Sequence, residues 1–243
     1  MKRTILILAA VILGFTTANA QWFGSEKVKG NGNMETQKRS TASYDRIGLQ
    51  GSMDMQLVAG KEGDLQVEAE SNLQEYIITE VENGTLKVHV KQGYNLSTSH
   101  NMSIKVIVPF KDIEAVSLTG SGDVYTTDKI KAENFEAKVT GSGDMNLELD
   151  VQNLESSING SGDIKLVGNA SHFRCSVNGS GDTKAFDLEA EDVEAKIAGS
   201  GDIHVNATKS LEARVAGSGD IVYKGNPEKE DFHTAGSGAV SSY

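Results

Sequence analysis

Ser156-Ser157-Ile158-Asn159-Gly160-Ser161-Gly162-Asp163-Ile164-Lys165-Leu166 carries the unit on which the chain is built. Its centre, Gly-Ser-Gly-Asp, recurs at Gly120–Asp123, Gly141–Asp144, Gly160–Asp163, Gly179–Asp182, Gly199–Asp202 and Gly217–Asp220, and ends in a copy without its Asp at Gly236–Ala239. The first glycines are 21, 19, 19, 20, 18 and 19 residues apart. One turn motif per period of about 20 residues marks a stacked repeat rather than a single compact globule.

Aligning the copies on their first Gly exposes period-two columns. Two residues before it stand Leu118, Val139, Ile158, Val177, Ile197 and Val215. Four before stand Val116, Ala137, Ser156, Cys175, Ala195 and Ala213, and six before stand Glu114, Phe135, Leu154, Phe173, Val193 and Leu211. Alternation of this kind describes one strand per repeat with a constant inward face. After the turn, Val124, Met145, Ile164, Thr183, Ile203 and Ile221 begin a second strand, continued by Leu147, Leu166, Ala185 and Val205. The interleaved columns are polar: Glu136, Glu155, Arg174, Glu194 and Glu212, then Lys138, Ser157, Ser176, Lys196 and Arg214. A single rung cannot bury its apolar stripe; stacked parallel rungs can. The fold class expected is all-β, a right-handed parallel β-solenoid. At 4.7–4.9 Å per rung the array would be about 30 Å long.

Upstream the chain is less regular. Tyr44–Leu49, Met53–Val58 and Leu65–Ala69 alternate as strands, with Gly51-Ser52-Met53-Asp54 a worn copy of the motif. Ile77–Val81 and Leu86–Val90 flank Asn83-Gly84, the dipeptide of a type I′ hairpin turn. Asn72–Tyr76 reads as one helical turn, Gly93–Asn101 as a polar loop, and Met102–Val108 as a strand ended by Pro109. Residues 21–40 show no period and read as a flexible leader. Residues 1–20 read as an export signal: Lys2 and Arg3, apolar Ile5–Phe15, and a small-x-small site at Ala18-Asn19-Ala20 that predicts a mature start at Gln21. The domain layout expected is thus a signal peptide over 1–20, a leader over 21–40, and one solenoid over 41–240. Within the solenoid, 41–112 is an irregular start containing the hairpin and 113–240 the regular array. No apolar stretch beyond the signal is long enough for a membrane span.

The chain carries 23 Lys and Arg against 34 Asp and Glu. Removing Lys2 and Arg3 leaves 21 against 34, a net −13, which opposes nucleic acid and anionic lipid as partners. Cys175 is the single cysteine and falls in the small inward column, so it reads as a buried structural thiol, not a nucleophile or a disulfide partner. His89, His100, His172, His204 and His233 follow no metal-ligand spacing. The motif's Ser recurs too often to be a catalytic nucleophile and reads as a corner residue that bonds the Ser above or below. The Asp column has two readings. Asp123, Asp144, Asp163, Asp182, Asp202 and Asp220 either accept hydrogen bonds from turn N–H groups or form a cation ladder for a hard ion such as Ca²⁺. Stacked carboxylates repel by ~1 kcal/mol per pair in water and ~3.5 at an effective dielectric of 20, so something must offset that repulsion.

These features together resemble the auto-transporter adhesin head GIN domain family. The resemblance runs from about Gly30 to Val240. It rests on Gly30-Asn31-Gly32-Asn33, Tyr44-Asp45-Arg46-Ile47, Asn72-Leu73, Val81-Glu82-Asn83-Gly84-Thr85-Leu86, Val108-Pro109 and the Gly-Ser-Gly-Asp series. It implies an exported bacterial protein with a single-stranded β-helix like that of pectate-lyase-like proteins, and it supplies no catalytic residues. The function expected is a non-enzymatic binding or adhesion module, periplasmic, on the outer surface or extracellular, whose partner is a surface glycan or an envelope protein. Two alternatives stand beside it: a periplasmic structural or stress-related scaffold without a ligand, and a polysaccharide-cleaving enzyme for which Arg174 and Lys184 are the nearest base candidates.

Overall fold

A computed structural model describes residues 25–243; the export signal read over 1–20 lies outside them. The strands are β1 Glu26–Lys29, β2 Met34–Ser40, β3 Arg46–Gly51, β4 Asp54–Ala59, β5 Asp64–Glu70, β6 Ile77–Glu82, β7 Thr85–Val90, β8 Tyr94–Ser97 and β9 Lys105–Phe110. They continue as β10 Ala115–Gly120, β11 Val124–Thr126, β12 Ile130–Gly141, β13 Met145–Gly160, β14 Ile164–Gly179, β15 Thr183–Gly199, β16 Ile203–Gly217, β17 Ile221–Lys224, β18 Lys229–Gly236 and β19 Val240–Ser242. A 3-10 turn, Gln74–Tyr76, occupies the place of the helical turn read from the sequence.

The solenoid stands as expected. β10 through β19 stack in parallel, and the motif glycines fall in one register: Gly51, Gly120, Gly141, Gly160, Gly179, Gly199, Gly217 and Gly236. The worn motif at Gly51 is therefore a true corner of the stack, and parallel stacking begins before Ile113. The three inward columns are buried up to the Gly217 corner, apart from Glu114, which is exposed at the N-terminal end of the six-before column; in the last rung Glu230 and Thr234 are exposed and Phe232 is half-buried. The core is one continuous apolar stripe. Each well-buried Leu, Ile, Val or Phe in it contributes roughly 1.5–3 kcal/mol.

Two core hydroxyls fit less well. Ser156 and Thr183 sit in inward columns and their oxygens find no hydrogen-bond partner. A buried hydroxyl without a partner costs roughly 1–3 kcal/mol. Thr183→Val keeps the shape and removes the orphan, so it is expected to raise the unfolding free energy by about 1 kcal/mol in urea titrations. The face assignment has its own test. Ala195→Phe should overpack the small column and cost about 2 kcal/mol, while Lys196→Ser on the outward face should cost about 0.5 kcal/mol or less. Equal losses in the two melts would overturn the assignment.

The N-terminal part differs from the sequence reading in three places. First, the stretch read as a flexible leader contains β1 and β2; β2 pairs antiparallel with β5 from Met34↔Glu70 to Ser40↔Asp64. Its own side chains give no apolar alternation because both faces are largely wet, so β5 sets the strand. Arg39 then reaches back to the carbonyls of Ile77 and Gln74. Second, the polar loop over 93–101 contains β8, which pairs in parallel with β1. Third, Pro109 lies inside β9 rather than ending it. Phe110 accepts from Gly60 N–H, so the Pro109 nitrogen faces the other way, beyond the point where β5 stops pairing, and no ladder bond is lost. The hairpin is as read: β6 and β7 are antiparallel, with Asn83 at φ 50° and Gly84 at φ 75°. Below the first corner, β7 lies under β3 and β9 under β4, both in parallel.

Candidate functional site

The corner chemistry explains the Asp column. At the turns the first Gly's carbonyl accepts two N–H groups from the next corner, except Gly199, which accepts that of Ser218; Gly141 takes Ser161 at 2.8 Å and Gly162 at 3.1 Å. Each Asp Oδ1 accepts the backbone N–H of the next corner's fourth residue: Asp123 from Asp144 at 3.0 Å, Asp144 from Asp163 at 2.9 Å, Asp163 from Asp182 at 2.9 Å. The ladder continues through Asp182, Asp202 and Asp220, which takes Ala239 N–H at 2.8 Å. Asp54 of the worn motif starts it, accepting from Asp123. The acceptors thus run between rungs rather than within one turn. Donors of the next rung offset part of the carboxylate repulsion, and Lys184 Nζ binds Asp163 Oδ2 at 2.5 Å. The motif serines depart from their reading: they are exposed and make no side-chain hydrogen bond among the described residues. Among those residues no group of three or more His, Cys, Asp or Glu side chains is placed to hold a metal ion.

The remaining single candidates do not converge. Cys175 is fully buried, and burial pushes its thiol well above the usual range. It is expected to ignore Ellman's reagent in the folded protein and to react fully once urea unfolds it. Arg174 lies before the Gly179–Asp182 corner and Lys184 just after it, on the strand that leads away; Arg174 pairs with Glu194 at 2.8 Å, Lys184 with Asp163. They do not share a site. His89, His172 and His233 each contact a carboxylate on the surface: Glu80, Asp192 and Asp231. The Nδ1 of His204 is buried without a partner, and its ring packs edge-on against Phe186.

What the repeats do build is a groove along the stack, about 580 Å³ in volume. Its floor is the strand backbone at the six-before column, Phe135, Leu154, Phe173 and Val193, whose side chains are buried in the core, and its walls are the columns on either side. One wall is the outward column already read from the sequence. The other, seven before the first Gly, is Asn134, Asn153, His172, Asp192 and Ser210, and was missed. The alternation that put residue six inside necessarily puts five and seven outside, so this wall was legible. Side chains within each wall bond along the stack. Asn153 Nδ2 donates to Asn134 Oδ1 at 3.0 Å, Ser210 Oγ to Asp192 Oδ1 at 2.6 Å, and Arg174 Nε to Glu194 at 2.8 Å.

A second polar assembly, also missed, ties the N-terminus down. Glu70, 1 % exposed, accepts from Gly32 N–H at 2.5 Å, Ser99 N–H at 2.9 Å and Ser99 Oγ at 2.6 Å. Burial disfavours its charge, but these three donors outweigh it and hold the carboxyl below the ordinary glutamate range. Asn31 and Asn72 close the assembly: Asn31 N–H donates to Asn72 Oδ1, and Asn72 Nδ2 to the Lys29 carbonyl. The Gly30-Asn31-Gly32-Asn33 stretch is thus a clamp around a buried carboxylate, not a loose leader.

Comparison with known proteins agrees with this architecture. A protein from Bacteroides fragilis described as a "putative adhesin" superposes with a TM-score of 0.84 at 26% identity, over 89% of this chain and 100% of its own. A "putative lipid binding protein" from Parabacteroides distasonis gives 0.74 at 32% identity, over 90% of this chain and 100% of its own. A "putative adhesin" from Parabacteroides merdae gives 0.70 at 24% identity, a likeness of fold. No curated protein matches the chain. The family model described as "Putative auto-transporter adhesin, head GIN domain" matches residues 43–227, a span that includes the hairpin and the Gly-Ser-Gly-Asp corners up to Asp220, and the chain belongs to that family.

Proposed function

We propose that this protein is a non-enzymatic, adhesin-like binding module exported to the bacterial envelope. The observation that carries it is the repeated polar surface: polar side chains stand at equivalent positions on successive rungs along both walls of one continuous groove. Equivalent sites at a fixed spacing suit many weak contacts acting together. Membership of a family described as adhesins, and likeness to a 26%-identical protein so described, support the same reading. Arg174 and Lys184 stand on different parts of the surface, each held by a carboxylate, which argues against a lyase base beside a metal. An unsaturated-product absorbance assay on uronate polymers is expected to stay flat.

One 32%-identical relative is described as lipid binding, and that ligand suits this surface poorly. Among the described residues the large apolar side chains that stand exposed are Met34 and Tyr243. The acidic balance also repels anionic headgroups. The test is binding of the full exported protein to carbohydrate and envelope-protein panels, with protease accessibility on intact cells to place it. Binding to either panel supports the module. Silence across both overturns it in favour of a ligand-free scaffold.

A further inference from the structure

The walls of the groove are not equally occupied. At the second to fourth rungs, several groups have no protein partner among the described residues. Asn153 Nδ2 bonds Asn134 Oδ1, which leaves Asn134 Nδ2 as a donor and Asn153 Oδ1 as an acceptor. Arg174 uses Nε on Glu194, which leaves both terminal guanidinium nitrogens. Glu155 has no hydrogen bond or ion pair. Donors and acceptors therefore alternate over a stretch of about 10 Å, on either side of the strand backbone at Phe135, Leu154 and Phe173, whose side chains point into the core.

We infer that this stretch is the binding subsite for a neutral polysaccharide chain lying along the solenoid axis; the inference rests on the binding-module reading above. Three features select that ligand. The strands at the groove are paired on both sides, so no free main-chain edge is offered and an extended peptide would find no backbone partner. Carboxylates outnumber cations on the walls, which repels uronate, sulfated and phosphorylated polymers. A hydroxyl both donates and accepts, and so satisfies Asn, Arg and Glu alike. The wall positions recur every 4.7–4.9 Å, so successive sugar units meet a polar side chain at each step.

The experiment is affinity electrophoresis and titration calorimetry of the full exported protein with soluble neutral glucan, mannan and xylan, against polygalacturonate and heparin. The N153A/R174A double variant and the groove-filling variant Asn153→Trp are compared with the parent, with thermal melts confirming that each folds. Lys138→Ser, on the neighbouring outward column, is the control. The expected result is binding to at least one neutral polymer, weakened at least tenfold in both groove variants and unchanged in Lys138→Ser. Preference for the anionic polymers, or neutral-glycan binding that both groove variants retain, overturns the groove assignment while leaving the module reading in place. Binding to envelope proteins alone overturns the glycan assignment and likewise leaves the module. Binding to nothing overturns both.

Discussion

Gly160→Ala is expected to destabilise the protein by about 4 kcal/mol, read as a fall in the urea midpoint with an unchanged slope. Two separate costs meet at this residue. Its φ is +142°, a backbone state that L side chains rarely adopt, worth of order 1–3 kcal/mol for any residue with a Cβ. A Cβ there would also lie 2.2 Å from the Gly141 carbonyl oxygen and 3.0 Å from that residue's N and C atoms. The obstacle is backbone, so no rotamer change relieves it. The rungs must separate, and that breaks the paired bonds from Ser161 and Gly162 to the same oxygen. Gly93→Ala supplies the internal control. It has φ +89° with nothing within 4 Å of a built Cβ, so it carries the strain alone and should cost about 1 kcal/mol. Near-equal losses at the two sites would show that corner packing contributes little, and that the glycines are required for their dihedral angles only.

The array was legible because its physics is local and repeated. An inward column is recognisable when Val139, Ile158, Val177 and Ile197 recur at one offset from a glycine corner, and every one of them is buried. The hairpin was legible for a similar reason, since Asn83-Gly84 carries its own turn geometry. The N-terminal clamp was not. β2 is a strand through its register with β5, and β8 through β1, so the order of each is written in a partner far along the chain. Glu70 looks like the polar end of an alternating strand. Its burial depends on residues 30–33 and Ser99 arriving from opposite directions, which no window around position 70 contains. The groove falls between these cases. Its walls follow from the alternation, but the pairing that leaves Glu155 and the Arg174 terminal nitrogens free depends on which neighbours reach each other across rungs.

Glu70→Gln is expected to cost about 3 kcal/mol at pH 7, the second large effect in the molecule. The amide keeps the size of the carboxylate, so packing is nearly unchanged. What changes is the bonding. Oε2 accepts Ser99 N–H, and an amide nitrogen in that place sets donor against donor in a site 1 % exposed. The bonds that remain, from Gly32 N–H and Ser99 Oγ, lose their charge assistance. Gly30 leaves no freedom to swing aside, because even a Cβ there would come within 1.9 Å of Glu70 Oε2. Glu68→Gln, on the same strand but half-exposed, should shift stability by about 0.5 kcal/mol or less. The pH dependence separates this account from simple packing. The folded carboxyl titrates below its unfolded value of about 4.3, so its contribution is fully present above that pH and is lost as pH falls through the folded value. The gap between parent and Glu70→Gln, constant from pH 7 down to about 5, must therefore narrow on further acidification. A gap that stays constant to pH 3 would mean that shape, not charge, makes Glu70 the anchor of the N-terminal strands.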